Sequence, residues 1–195
     1  MTIDSLTWQK DWMATFGGHA VFPLGLKVEE IRLTDIAHAL SQQARYNGHT
    51  KYPYWVGQHC VLISRALERD GQSLQMQRIG LLHDASETYT GDLTKPMKNS
   101  IKHKLEPVGM GGMWKEIEHE IEAKIAERFH LPYPWPFIVE EYDTRITQDE
   151  KAALFVKQDA VWTIPLPPLN VRIEECSWRL CEADFLLRAR ELGLE

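Results

Sequence analysis

Apolar residues along this chain recur three and four positions apart far more often than they alternate, and Gly or Pro punctuation falls between the periodic stretches. In "RLTDIAHALSQQARY" (residues 32–46), Ile36, Leu40 and Ala44 share one stripe, and Thr34 or Asp35 stands where an N-cap is needed. This predicts a first helix. "NGHTKYPYW" interrupts it, because Asn-Gly and an internal Pro disfavour helical backbone. A second helix is expected over "VGQHCVLISRALERD", ending at Gly71, and a third from about Gln75 through "MQRIGLLHDASETY" to Gly91. "GDLTKPMKNSIKHKLEPVGMGG" is polar, carries glycines and two prolines, and reads as a partly mobile loop. Two further helices are expected over "MWKEIEHEIEAKIAERFH" and, after the "LPYPWP" break, "FIVEEYDTRITQDEKAALFV". "PLPPL" is an extended connector, and "EECSWRLCEADFLLRARELG" an amphipathic C-terminal helix. The fold class that follows is an all-α, compact helical bundle.

Length and composition refine this. At 195 residues and 44% hydrophobic, the chain suits one domain spanning 1–195 with one sizeable core. The net charge of -6, with no basic block, argues against long nucleic acid as a partner. Cys60, Cys176 and Cys181 are odd in number and form no C-x-x-C pair, so neither a disulfide framework nor a zinc ribbon is expected; a reducing cytoplasm fits. There is no run of eighteen apolar residues, and "MTIDSLTWQKDWMATFGG" lacks the basic tip and apolar stretch of a signal peptide, so no membrane association is expected.

Chemistry concentrates in "LLHDASETYTGDL". On a continuous helix, Glu87 lies four residues after His83 and three after Asp84, so the three project over adjoining turns of one face. Two acids and an imidazole buried together cost several kcal/mol unless a cation compensates them, and a divalent metal would do so. Further ligands must come from other helices: His59 in "GQHC" and Asp143 in "EEYDTR" are the candidates. Taken singly, His59 reads as a satisfied core histidine and Asp143 as an exposed carboxylate.

The order His59, then His83-Asp84, then Asp143, with Glu87 and Asp92 after the doublet, resembles the HD-domain superfamily of metal-dependent phosphohydrolases, and within it the small 5'-deoxynucleotidase-like branch. The likeness runs from about residue 35 to residue 146. It implies a bundle of the HD type in which His59, His83, Asp84 and Asp143 bind one divalent transition metal ion: Co, Mn, Zn, Fe or Ni. It implies that Glu87 and Asp92 orient or deprotonate water and manage the leaving group's proton, and that Arg45 grips the substrate phosphate. Tyr46, often a tryptophan in relatives, would pack on the sugar, and Lys95 and Lys98 would meet additional phosphates. The implied substrate is a deoxynucleotide, cleaved to release phosphate from a monophosphate or tripolyphosphate from a triphosphate such as dATP. The protein is expected to be a homo-oligomer. A non-catalytic metal-containing nucleotide sensor or assembly subunit is the alternative. His49 is expected to satisfy loop carbonyls, His103 and His119 to lie on the surface, and the tryptophans to belong to the core.

Overall fold

The computed structural model of the chain describes residues 11–157, 159 and 162–194. The sequence reading of residues 1–10 as free of a signal peptide lies outside them. Those residues are mostly helical, as the apolar periodicity requires, and none of their helices is long and apolar enough to cross a membrane. A hairpin of β1 (Met13–Ala14) and β2 (Ala20–Val21) precedes α1 (Leu33–Leu40).

The centre is α2 (Val56–Arg69), which packs along α3 (Leu74–Leu82). Gly80 permits that approach: a Cβ there would lie 2.5 Å from Leu67 Cδ1, inside contact distance. Leu40, Cys60, Ile79, Leu82 and Phe185 form part of one apolar cluster; Ile63, Leu67, Tyr142 and Ile146 belong to a second, under α7 (Phe137–Leu154). The C-terminal helix α8 (Trp178–Glu191), capped by Ser177, closes the bundle against α2. Its buried Arg188 donates to Ser64 Oγ at 2.9 Å, to Glu68 Oε2 at 3.0 Å and to Gln77 Oε1 at 2.9 Å, so this charge is fully partnered.

Four departures from the sequence expectations surround the site. The first helix stops at Leu40, six residues short of Tyr46, because the backbone turns to pair with the strand-like segment after it: Arg45 N–H donates to Tyr54 O at 2.8 Å and Val56 N–H to Gln43 O at 2.9 Å. Arg45 begins a 3-10 turn, Arg45–Gly48, in which Tyr46 and Asn47 take left-handed backbone (φ 58° and 51°). Nor does helix α1 use Thr34 or Asp35 as its cap; Arg32 is the N-cap, and the buried Asp35 instead accepts from Gly17 N–H at 2.6 Å.

The third helix is likewise not continuous to Gly91. It ends at Leu82, and bonds of the i to i+3 kind, such as Ala85 N–H to Leu82 O and Glu87 N–H to Asp84 O, tighten residues 83–86 into turns before the short α4 (Glu87–Thr90). His83 and Asp84 therefore sit on a turn between helices. Finally, the expected polar loop contains α5 (Lys95–Leu105), with Pro96 in its first turn, followed by a 3-10 turn and α6 (Met113–Arg128). No residue of α5 is buried, so it has no core stripe to reveal it in the sequence.

Candidate metal centre

Helix α2 points His59 inward with no solvent exposure; the turn after α3 supplies His83 and Asp84; α7 supplies Asp143. Three elements thus bring these four residues close together, with His59, His83 and Asp143 forming one potential metal-binding group and His83 and Asp84 a second with Cys60. His59 Nε2 lies 3.4 Å from His83 Nε2, 3.1 Å from Asp143 Oδ1 and 3.6 Å from Asp84 Oδ2. His83 Nε2 lies 3.3 Å from Asp84 Oδ1 and 4.0 Å from Asp143 Oδ1. Donor atoms about 2.1 Å from a shared ion stand about 3.0–3.4 Å apart at neighbouring positions, so this spacing suits one ion. Asp143 keeps 41% of its side-chain surface exposed, in line with a carboxylate on a charged helix, while its Oδ1 faces His59.

The far sides of both imidazoles are engaged. His83 Nδ1–H donates to Gly80 O at 3.0 Å, which only an acceptor can receive, and His59 Nδ1–H donates to Glu150 Oε1 at 2.7 Å. Each ring therefore directs an Nδ1 proton away from the cluster and turns Nε2 toward it, the orientation metal-binding histidines need. Burial opposes a charged His59, and Arg45 does too, but the carboxylates of Glu150 and Asp143 outweigh them and raise it to about 9. The same acids make the cluster attractive to any cation. Burial raises Asp143, yet its contacts with His59, His83 and Arg45 prevail and hold it well below the carboxylate range.

Glu150, which the sequence reading passed over, is fully buried. Besides His59 it accepts from the Tyr46 hydroxyl, and Arg45 Nε stands 3.7 Å from Oε1. Burial pushes it up, but Arg45 and His59 bring it down to about 2. Its seven-residue separation from Asp143 was the available signal: two helical turns place both on one face of α7. Cys60 was also missed as a donor; its thiol groups with His83 and Asp84 within ligand range, though burial raises it well above the ordinary thiol value.

A cleft of about 1350 Å³ opens over the cluster, lined in part by Arg45, Asp84, Glu87, Asp92 and Asp143. Arg45 bridges its sides: Nη1 donates to Asp84 Oδ2 at 3.0 Å, and Nη2 lies 3.8 Å from Asp143 Oδ1. Glu87 is buried, and its Oε2 has no hydrogen-bond partner among the described residues. Burial pushes Glu87 well above the carboxylate range, with Asp84 and Asp92 adding to the effect. Burial raises Asp92 as well, more than Arg45 lowers it. Raised carboxyls lining a cleft are candidates for proton transfer.

Lys95 and Lys98 both line the cleft; Lys98 is paired with Glu118 Oε1 at 2.6 Å, while Lys95 is exposed. His49 is exposed at the cleft edge rather than bonding loop carbonyls, because the left-handed turn before it projects it outward. His103 is exposed as expected; His119 is half-exposed and bonds the Tyr133 hydroxyl. The tryptophans do not form the core: among the described residues none is buried, and Trp114 and Trp162 line the cleft.

No family model matches the chain. It is similar to the uncharacterized protein YfdR of Escherichia coli, at 27% identity over 153 residues that cover 78% of each chain. It is also similar to the uncharacterized protein RCAP_rcc00048 of Rhodobacter capsulatus, at 30% identity over 132 residues, which cover 66% of this chain and 63% of that protein.

Proposed function

We propose that this chain is a metal-dependent phosphohydrolase of the HD type acting on deoxynucleotides. The observation that carries the reading is the convergence of His59 Nε2, His83 Nε2 and the Asp84 and Asp143 carboxylates, with both Nδ1 atoms held elsewhere. Imidazole and carboxylate donors together suit a divalent ion of the Mn, Fe, Co, Ni or Zn group. Such an ion, when bound, lowers the pKa of water toward neutrality and polarises a phosphoryl oxygen.

The remaining work falls to the chain's own side chains. Glu87, buried and unpartnered at Oε2, and Asp92 between them orient or deprotonate the attacking water and manage the proton of the leaving oxygen. Arg45 presents a permanently charged fork to the phosphate, and its present partners Asp84 and Asp143 hold that fork beside the metal ligands. Tyr46, anchored through its hydroxyl to Glu150, offers its ring to the sugar. Lys95 and Lys98 extend the cationic lining along α5.

The test is direct. Protein loaded in turn with Mn, Fe, Co, Ni or Zn is offered deoxynucleoside mono- and triphosphates, and phosphate and tripolyphosphate are assayed separately. Release of either product that stops on chelation is the expected result. Stoichiometric metal binding with no product from any substrate would favour the non-catalytic nucleotide sensor instead.

A further inference from the structure

The cleft has an aromatic side of which the chemistry above uses only Tyr46. Tyr46, Phe155 and Trp162 all line it and touch one another. Tyr46 meets Phe155 edge-on with ring centroids 5.0 Å apart, Phe155 meets Trp162 at 5.1 Å, and Tyr46 and Trp162 lie 6.1 Å apart at 39°. Lys151 Nζ stands 5.9 Å from the Trp162 ring centroid. The wall is tied to the metal cluster, because the Tyr46 hydroxyl bonds Glu150 and Glu150 holds His59.

Trp162 and Phe155 are only partly buried although they belong to a contiguous aromatic group. Aromatic surface left open at the edge of a polar cleft is stabilised when a flat apolar ligand covers it. The aromatic side carries Lys151 beside Trp162 and Arg45 beside Tyr46, while Lys95, Lys98 and Lys102 of α5 line the cleft elsewhere, Lys98 paired with Glu118 on α6. A ligand laid across the cluster therefore meets charge toward α5 and π surface toward Phe155 and Trp162. A nucleotide has that polarity, with phosphate at one end and a planar base at the other.

We propose that Trp162, backed by Phe155, is the base-stacking and specificity-determining surface of this cleft, orienting a nucleotide with its base on these two rings and its phosphates toward Arg45 and α5. The inference rests on the phosphohydrolase reading but makes a separate demand: the base itself must contribute to recognition.

The probe is 2-aminopurine 2'-deoxyribonucleoside 5'-monophosphate, whose emission is quenched when its ring stacks, titrated into metal-loaded protein. Wild type is expected to quench the bound probe, Trp162→Ala to restore most of the emission, and Trp162→Phe, which retains an aromatic face, to keep most of the quenching. In parallel, the ratio of kcat/KM for a deoxynucleoside monophosphate to that for base-free 2-deoxyribose 5-phosphate should fall on the order of tenfold in Trp162→Ala, the usual scale of one stacked base. Metal content and circular dichroism establish that each variant is folded. If folded Trp162→Ala quenches the probe and discriminates as wild type does, the stacking role is overturned while the hydrolase reading stands. If wild type neither binds nor cleaves any nucleotide, both fail.

Discussion

Glu150 Oε1 accepts the Nδ1–H of His59 at 2.7 Å, and neither side chain has any solvent exposure. The carboxylate fixes the tautomer and the tilt of the imidazole, so the position of His59 Nε2 depends on a residue that does not itself reach the metal point. Glu150→Gln retains an acceptor oxygen but removes the charge. Metal affinity should fall about 10- to 100-fold, the usual cost of losing a partner behind a histidine ligand. Competition against a chelator of known affinity measures it; an unchanged affinity would mean that α2 alone orients His59.

The candidate residues were legible because each sits in a short, ordered pattern; the fold groups His59, His83 and Asp143, and separately Cys60, His83 and Asp84, within range of a shared ion. What the sequence hid has physical causes. Helix α5 carries no buried residue, so apolar periodicity could not disclose it. The turn at Arg45 is set by backbone pairing between residues 43–45 and 54–56, a contact between segments that a helical pattern does not register. Glu150 looks like one more acid on a charged helix until His59 and Arg45 are brought to it by the fold.

His83→Ala removes an imidazole donor shared by both potential metal-binding groups. Most of the bound ion should be lost from the purified protein. Elemental analysis decides: a full complement of metal in the variant would take His83 out of the ligand set.

Glu87→Gln is the complementary case. Glu87 lines the cleft but belongs to neither potential metal-binding group, so metal content should stay at the wild-type level. Turnover should drop by about 10²- to 10⁴-fold, as expected when a general acid or base is removed. A fully active, metal-loaded variant would reassign the proton-handling role, with Asp92 the next residue to substitute.

In the proposed reading, Arg45 and Tyr46 divide the phosphate and the sugar between them. Lysine at position 45 keeps the charge but not the planar fork that now spans Asp84 and Glu150, so Arg45→Lys should lower kcat/KM by about 10-fold or more. Tyr46→Ala opens space beside the sugar and should narrow any preference for deoxyribo- over ribonucleotides. Matched deoxy and ribo substrates, assayed with wild type and both variants, read these effects separately. A sugar preference that survives Tyr46→Ala would place the discrimination elsewhere in the cleft.

The last prediction concerns stability rather than turnover. Glu122 on α6 accepts from the Tyr133 hydroxyl at 2.9 Å, and that hydroxyl also bonds His119. Burial raises the Glu122 carboxyl from its ordinary 4.5 to about 7, and the nearby Glu118 charge adds to the rise, while the Tyr133 bond only partly opposes it. The folded protein therefore binds a proton here that the unfolded chain has already released between about pH 4.5 and 7. Stability from this group is fully present below the lower value and is lost as pH rises through the upper one. Glu122→Gln mimics the protonated form at every pH and should abolish that loss. Urea unfolding of wild type and variant at pH 5 and pH 8 should show wild type losing on the order of 1–3 kcal/mol more than the variant across the interval. Parallel pH profiles in the two proteins would mean that Glu122 is ionised throughout and that the Tyr133 and His119 contacts, not a bound proton, hold it in place.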